Sequence, residues 1–238
     1  MKSIDRNKML EYIDTVTGSV PWTSPSVCHL LFDLVASFSQ PQILEVSCGY
    51  GKATAYLAAA ARLGGGLVRC VDVERPQWRG RTVEDLVAAV GARDSCQVTL
   101  ACDARWYLLD LLTVLRGEWI HLAYIDASHT VEVDSFVALA AWTHLRPGGI
   151  LVFDDLNWVP ERNGSSGSTY SRPASGHVRA LYDYVRGLPW VDEARQWDRD
   201  SVQWPLGLVR KHGPGVRSGC GISELLARLP STDESVPS

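Results

Sequence analysis

Two short stretches of this sequence place acids and a histidine where they could act together. In "YIDASHT", Asp126 ends an apolar run and His129 follows three residues later, while Asp154 and Asp155 end a second apolar run in "ILVFDD". Carboxylate oxygens are ligands that Mg²⁺, Mn²⁺ and Ca²⁺ prefer. An imidazole, with an unperturbed pKa of about 6.5, suits a general base near neutral pH. These residue types favour metal-assisted deprotonation, provided that the fold brings the two stretches together.

The elements that must position these residues alternate along the chain. Short apolar runs typical of buried strands are separated by longer helical patterns, as in "QILEV", "LVRCVDV", "QVTLACDA", "IHLAYIDA" and "ILVFDD". This alternation is the signature of βαβ units, and near-continuous apolar strands suit a sheet covered on both faces. The predicted fold class is therefore α/β: a single-domain, doubly wound, mostly parallel sheet of Rossmann-like type. Helices at 4–15 and 25–38 precede it, and two further strands close it.

Changes in composition and hydrophobic periodicity divide the chain into three segments. We predict an N-terminal helical segment at 1–40, a ligand-binding core at 41–212 and a weakly ordered tail at 213–238 with one short helix at "SELLARL". Within the core, residues 160–176 are rich in Gly, Ser and Pro, which is typical of a long loop. That loop is either a lid over the substrate or a plain solvent loop.

Composition excludes several classes of function. The 238 residues carry a formal net charge of −4 without a basic block, so nothing favours a nucleic-acid or membrane-surface partner. No apolar run is long enough to span a bilayer, and the N-terminus lacks the pattern of a secretory signal. The six cysteines stand singly, which is typical of reduced thiols in a cytoplasmic protein. Whether the protein forms a homo-oligomer is left open.

The carboxyl ends of neighbouring parallel strands meet at one edge of a sheet, so Asp126 and the Asp154–Asp155 pair are expected together. Three converging carboxylates repel one another unless they are protonated or neutralised by a cation. We therefore predict a metal site formed by Asp126, Asp154 and Asp155, with His129 as the base. An isolated Asp pair would instead cap a turn and face water. Glu132 and Asp134 are expected at solvated helix positions.

A glycine-rich turn, "EVSCGYGKAT", follows the first apolar strand. Gly49 and Gly51 would let a ligand approach the main chain, although the spacing does not match the GxGxxG dinucleotide fingerprint. An acid at the end of the second strand, Asp72, could accept both hydroxyls of a ribose. Asp103, after the third strand, could accept from an exocyclic amine. Both acids could equally be solvated strand-end residues.

Together these motifs resemble the class I S-adenosylmethionine-dependent methyltransferases. The resemblance covers about residues 25–212 and rests on "ILEVSCGYGKAT", "VDVE", "CDAR", "YIDASHT" and "LRPGGILVFDD". The last two are similar to the metal-dependent O-methyltransferases of natural-product pathways, including macrolide-sugar and, more distantly, catechol-type enzymes. By resemblance, the cofactor is held by Glu45, Ser47, Gly49, Gly51, Asp72, Asp103, Ala104 and Asp126. Ser47 departs from the family's usual glycine.

The resemblance implies an O-methyltransferase that uses S-adenosylmethionine and Mg²⁺ (or Mn²⁺ or Ca²⁺) on a hydroxyl of a small-molecule natural product. Asp126 and His129 would be its catalytic residues. Two alternatives stay open: a protein of the same fold that uses the cofactor for cyclisation or for N- or C-methylation, and an NAD-dependent oxidoreductase. Weaker expectations place five side chains around the acceptor, which are Trp22, Trp158, Tyr170, Arg172 and His177. Asn157 is expected just outside the metal ligands.

Overall fold

The computed structural model describes residues 5–158, 176–198, 205–213 and 222–228. The helices are α1 (Arg6–Thr17), α2 (Pro25–Ala36), α3 (Lys52–Gly64), α4 (Val83–Ala89), α5 (Ala104–Val114), α6 (Val131–His144), α7 (His177–Arg186) and α8 (Ile222–Arg228). The strands are β1 (Gln42–Val46), β2 (Leu67–Val71), β3 (Cys96–Thr99), β4 (Ile120–Ile125), β5 (Leu145–Phe153), β6 (Val191–Trp197) and β7 (Leu206–Lys211).

The strands form one seven-stranded sheet in the order β3-β2-β1-β4-β5-β7-β6. β1 to β5 are parallel, and β7 is antiparallel to both β5 and β6. The strand order reverses between β1 and β4, so this is the topological switch point where doubly wound sheets bind ligands. The predicted α/β, mostly parallel, doubly wound class is confirmed.

Helices cover both faces of the sheet, which explains why its strands are apolar throughout. One core layer packs α2 and the Ala-rich helix α3 against the sheet, and the other packs α5, α6 and α7 against the opposite face. Every residue of β4 is buried, as a central strand covered on both sides requires. This strand leads directly to Asp126, so a rigid element fixes the position of that acid.

Local sequence signals set the helix starts that lie near the switch point. Ser24 caps α2, with Pro25 in the first turn, and Thr82 and Asp85 form a capping box at α4. At the start of α3 the cap is Gly51, whose φ of +85° lies in the left-handed region. A Cβ at this position would lie 3.0 Å from Val83 Cγ1, so glycine satisfies both the backbone angle and the close packing.

Pro and Gly normally end a helix in a loop, but the "RPGG" stretch lies within β5, which begins at Leu145 directly after α6. The short helix predicted at "SELLARL" is present as α8, and the backbone N–H groups of Ile222 and Ser223 donate to the Glu193 carboxylate. Of the loop expected at 160–176, only Gly176 lies within the described residues, so Tyr170 and Arg172 fall outside them.

Two other observations concern the exclusions drawn from composition. None of the described helices is long and apolar enough to cross a membrane. The five cysteines in the described part of the chain are free thiols.

Candidate active site at the carboxyl edge of the sheet

Backbone hydrogen bonds between neighbouring parallel strands continue one residue beyond the strand ends. They fix the acids that follow β4 and β5 at the carboxyl edge of the sheet. The Asp126 N–H donates to the Val46 carbonyl (3.1 Å), and the Asp154 N–H donates to the Ile125 carbonyl (3.0 Å). On the other side of β1, the Ser47 N–H donates to the Val71 carbonyl. The acids after β4 and β5 and the turn after β1 therefore share this edge, as the parallel topology requires.

Three side chains converge there. Ligand atoms of Asp126, His129 and Asp155 all lie within 4.8 Å of one another. His129 Nε2 lies 3.0 Å from Asp155 Oδ2, and His129 Nδ1 lies 2.9 Å from the Ala127 carbonyl oxygen. The two carboxylates supply the oxygen donors that a divalent cation prefers, so these residues fit the predicted metal, with the imidazole beside them.

Asp154 lies beside this cluster. Its Oδ2 accepts a hydrogen bond from the Tyr124 hydroxyl, and its Oδ1 accepts one from the Asp155 N–H at 2.8 Å. Burial, followed by the charge of Asp155, raises the pKa of Asp154 to about 6. Of the three metal ligands predicted, the structure thus brings Asp126 and Asp155 together with His129, and it directs the carboxylate of Asp154 to Tyr124.

The charges of the cluster are only partly compensated. Burial, together with the neighbouring charges of Asp154 and Asp155, raises the pKa of Asp126 well above its usual range. For His129, burial lowers the pKa, but the hydrogen bond and the charge of Asp155 outweigh it, so the net pKa is raised. An excess of buried negative charge favours a bound cation, which would lower the electrostatic cost of ionising both aspartates.

The glycine-rich turn after β1 adopts the conformation of a ligand cradle. Ser47, Gly49 and Gly51 have φ values of +64°, +48° and +85°. The Gly49 N–H donates to Asp72 Oδ2 (3.0 Å), and Asp72 Oδ1 accepts from the Glu74 N–H (2.9 Å). Asp72 therefore ties the turn to the end of β2, and its oxygens keep lone pairs for further hydrogen bonds.

Glu45 is the least satisfied polar residue near the turn. Its side chain is fully buried, and neither carboxylate oxygen has a hydrogen-bond partner among the described residues. Burial raises the pKa of Glu45 to about 8; the neighbouring Thr54 hydroxyl opposes this increase, and the charge of Asp72 adds to it. A buried carboxylate without partners fits a cationic ligand group such as the ammonium of an amino acid, so this residue supports the cofactor predicted from the motifs.

Replacing Glu45 by glutamine is expected to stabilise the cofactor-free protein at alkaline pH. Because the folded pKa of about 8 lies above the ordinary value of 4.5, the contribution of this group to stability is complete below pH 4.5 and is lost as pH rises through 8. The lost stability is on the order of 3–5 kcal/mol. Denaturant unfolding between pH 5 and 9 would show a falling free energy in wild type and a flatter curve in Glu45→Gln. The exposed Glu84→Gln is the control, and parallel curves for wild type and Glu45→Gln would refute the assignment.

Asp103 and Ala104 lie at the start of α5. The Asp103 carboxylate accepts from the Arg105 backbone N–H (2.8 Å) and forms an ion pair with its guanidinium (2.6 Å). The hydrogen bond from Arg105 lowers the pKa of Asp103 to about 2. In this state Asp103 acts as a helix cap, and contact with an adenine amine stays a prediction.

Aromatic side chains flank the glycine-rich turn. The rings of Trp22 and Tyr50 are stacked with centroids 4.3 Å apart, and Trp78 lies 5.5 Å beyond Tyr50. Trp22 is 75% exposed, and a Cβ added to Gly49 would approach its ring to 3.3 Å. Trp22 therefore lies over the turn, and its expected contact with the acceptor stays a prediction.

Sequence reasoning was wrong about Asp134. Instead of a solvated position, it is 3% exposed and its Oδ2 lies 2.6 Å from His177 Nε2. Glu132, by contrast, is exposed as expected. The pairing joins α6 to α7 across 43 positions of sequence, so no local pattern signals it. Asn157, expected near the metal, is exposed and accepts a hydrogen bond from Arg179 (2.9 Å).

Part of the sequence matches a family model, and the fold matches solved structures. Residues 44–156 match a family model described as a methyltransferase domain. This region runs from β1 to just beyond Asp155, so it contains the turn and the cluster. No curated protein matches the sequence.

Several solved structures share the fold. An O-methyltransferase from Bacillus cereus in complex with SAH is 20% identical, with a TM-score of 0.62, and the alignment covers 88% of this chain and 94% of that one. The O-methyltransferase TomG from Streptomyces achromogenes, in complex with SAM, is 17% identical with a TM-score of 0.59 over 89% and 93% of the chains. An SAH-bound methyltransferase from Podospora anserina, PaMTH1, is 13% identical with a TM-score of 0.58 over 88% and 89%.

Proposed function

We propose that this chain is a class I methyltransferase that transfers the methyl group of S-adenosylmethionine to a hydroxyl oxygen of a small-molecule natural product, with a divalent cation bound. Residues 44–156 match a methyltransferase domain, and the fold is shared with solved O-methyltransferases. The observation that carries the proposal is the convergence of Asp126, His129 and Asp155 within 4.8 Å at the switch point of the sheet. The unpartnered carboxylate of Glu45, in the strand that leads to the adjoining turn, supports binding of a cofactor with an ammonium group.

Each residue of the cluster has a distinct task in this proposal. Asp126 and Asp155 hold the cation, with Asp154 beside them, and the cation when bound supplies Lewis-acid activation of the acceptor hydroxyl. The Ala127 carbonyl accepts a hydrogen bond from His129 Nδ1–H, which leaves Nε2 as the basic nitrogen. His129 then removes the hydroxyl proton at Nε2, and Asp155 stabilises the imidazolium that results.

The cofactor assignment follows from the turn beside the cluster. Glu45 would neutralise the ammonium group of the methionine moiety, and the backbone of Ser47, Gly49 and Gly51 would cradle that moiety. Asp72 would accept from the ribose hydroxyls with the lone pairs that its backbone donors leave free. A methyl donor held here would be adjacent to the cation site, because β1 and β4 are neighbouring strands.

A natural-product acceptor is supported by the motifs around Asp126 and Asp155 and by the fold shared with TomG, which is involved in tomaymycin synthesis. A screen with a labelled methyl donor would test this proposal against hydroxylated sugars, phenols and polyketides. Each acceptor is paired with its O-methylated form, and every reaction is run with Mg²⁺ and with chelator. Label transfer to the free hydroxyls alone, and only with Mg²⁺, is the expected result. Transfer to nitrogen or carbon would refute it.

The cofactor itself is tested by calorimetry. We expect S-adenosylhomocysteine to bind and NAD to give no heat, because the turn lacks the GxGxxG fingerprint of dinucleotide sites. Glu45→Gln should weaken the binding of S-adenosylhomocysteine by about tenfold or more, since a charge-assisted hydrogen bond is lost. Binding of NAD in place of S-adenosylhomocysteine would overturn the assignment.

A further inference from the structure

A second buried histidine–aspartate pair lies close to the cluster and has no part in the proposed chemistry. Asp134, in the first turn of α6, and His177, the first residue of α7, are joined at 2.6 Å. The side chains of His177 and Asp134 are only 11% and 4% exposed, so water does not compete for this hydrogen bond as it does at a surface. The pair thus fixes the start of α7 against the helix that follows the His129 turn.

Trp158 connects this pair to His129. Its ring meets the His129 imidazole edge to face, with centroids 4.7 Å apart and planes at 77°. It meets the His177 imidazole in the same way at 5.7 Å and 79°. The backbone N–H of Trp158 also donates to the Asp155 carbonyl at 2.9 Å. The indole is therefore held between the two imidazoles, and the Trp158 main chain is tied to the turn that carries Asp155.

His129 needs such support, because its own backbone does not favour its position. Its φ of +56° lies in the left-handed region, which non-glycine residues rarely adopt. The Ala127 carbonyl and Asp155 contact only the two nitrogens of the imidazole ring. These contacts do not support the rest of the ring. Trp158 supplies that lateral contact.

We propose that Trp158, braced by the Asp134–His177 pair, positions the imidazole of His129 for proton transfer. The inference rests on the proposed function, in which His129 is the general base. Trp158, Asp134 and His177 are positioning residues, since they act through His129 rather than on the acceptor. The pocket behind the cluster is lined by His129, Asp134 and Asp154, so loss of the brace would leave the imidazole room to turn away from Asp155.

Kinetics of Trp158→Ala, Trp158→Phe and His177→Ala test the proposal. Misplacing a base by about an ångström costs up to about 10²-fold, so we expect Trp158→Ala and His177→Ala to lower kcat by about 10- to 100-fold. The KM for S-adenosylmethionine should stay within threefold, because only transition-state contacts are lost. Trp158→Phe retains an aromatic edge against His129 and should recover most of the rate. His212→Ala, in an exposed pair with Asp192 at the opposite end of the sheet, is the matched control.

A double-mutant cycle separates positioning from general structural support. In a His129→Ala background, adding Trp158→Ala should change kcat by less than about twofold, because the group it positions is absent. An equal loss in both backgrounds would overturn the proposal, as would a raised KM with unchanged kcat. If His129→Ala lowers kcat but Trp158→Ala does not, this inference fails while the proposed function stands. If His129→Ala has no effect, the general-base assignment fails and the inference with it.

Discussion

Replacing His129 by alanine is expected to lower kcat by about 10²- to 10⁴-fold, the range that a general base contributes. The imidazole is the one group in the described cluster that can accept a proton near neutral pH without giving up a carboxylate needed for the cation. Affinity for S-adenosylhomocysteine should stay within about threefold, because no cofactor contact is assigned to His129. The measurement is single-turnover methyl transfer under saturating Mg²⁺, combined with calorimetry for the cofactor.

A matched control is available on the helix that follows the His129 turn. His144 ends α6, where its Nδ1 hydrogen-bonds the Ala140 carbonyl, and it lies at the opposite edge of the sheet. His144→Ala should therefore retain wild-type kcat. A loss of less than threefold in His129→Ala would move the base to another residue, and an equal loss in both variants would indicate a general effect on the fold.

The fold was predictable because a parallel sheet repeats the same local signals. Apolar runs of five or so residues mark β1, β2 and β4, and the Gly-rich turn after β1 marks the switch point. Because parallel strands end at one edge, the proximity of Asp126 and Asp155 also followed from topology without any knowledge of side-chain contacts. The boundary between α6 and β5 was not predictable, since Pro147 and two glycines normally end a helix in a loop rather than inside a strand.

Side-chain partners that lie far apart in sequence were not predictable. Asp134 occupies a helix position that the sequence pattern leaves polar, and only the docking of α7 buries it against His177. Asp154 and Asp155 are adjacent and chemically identical, yet their surroundings separate them. The Tyr124 hydroxyl on β4 donates a hydrogen bond to Asp154, whereas the Asp155 carboxylate contacts His129. Such choices depend on packing between elements, which single-sequence patterns do not encode.

Backbone conformation connects the two halves of the site. Ser47, His129 and Asp155 all have positive φ, and they lie in the connections that follow β1, β4 and β5. A non-glycine residue in this region costs on the order of 1–3 kcal/mol and persists only where its surroundings hold it. Each of these turns aims a side chain or a backbone N–H at the common edge. Three of the strained non-glycine residues therefore lie where the cofactor, the cation and the acceptor are proposed to meet.

Replacing Asp126 or Asp155 by alanine is expected to abolish Mg²⁺-dependent turnover while the fold is retained. Cofactor affinity should also be retained in Asp155→Ala, because no cofactor contact is assigned to Asp155. Each variant removes one of two hard oxygen donors from the described cluster. The cation affinity, measured with Mn²⁺ by electron paramagnetic resonance, should fall in both. Glu132→Ala, which removes an exposed acid a few residues from His129, should leave cation affinity and rate unchanged.

The two variants should differ in their residual activity, and the difference tests the division of tasks. Asp126→Ala removes a cation ligand but leaves Asp155 Oδ2 3.0 Å from His129 Nε2, where it accepts a hydrogen bond once Nε2 is protonated. Asp155→Ala removes a ligand and also the partner that stabilises the imidazolium. The pKa of His129 should therefore fall in this variant, and Asp155→Ala should have the lower residual rate of the two. Wild-type activity that persists in chelator would contradict the metal site. Equal residual rates in the two variants would instead show that Asp155 acts only as a cation ligand and takes no part in proton transfer.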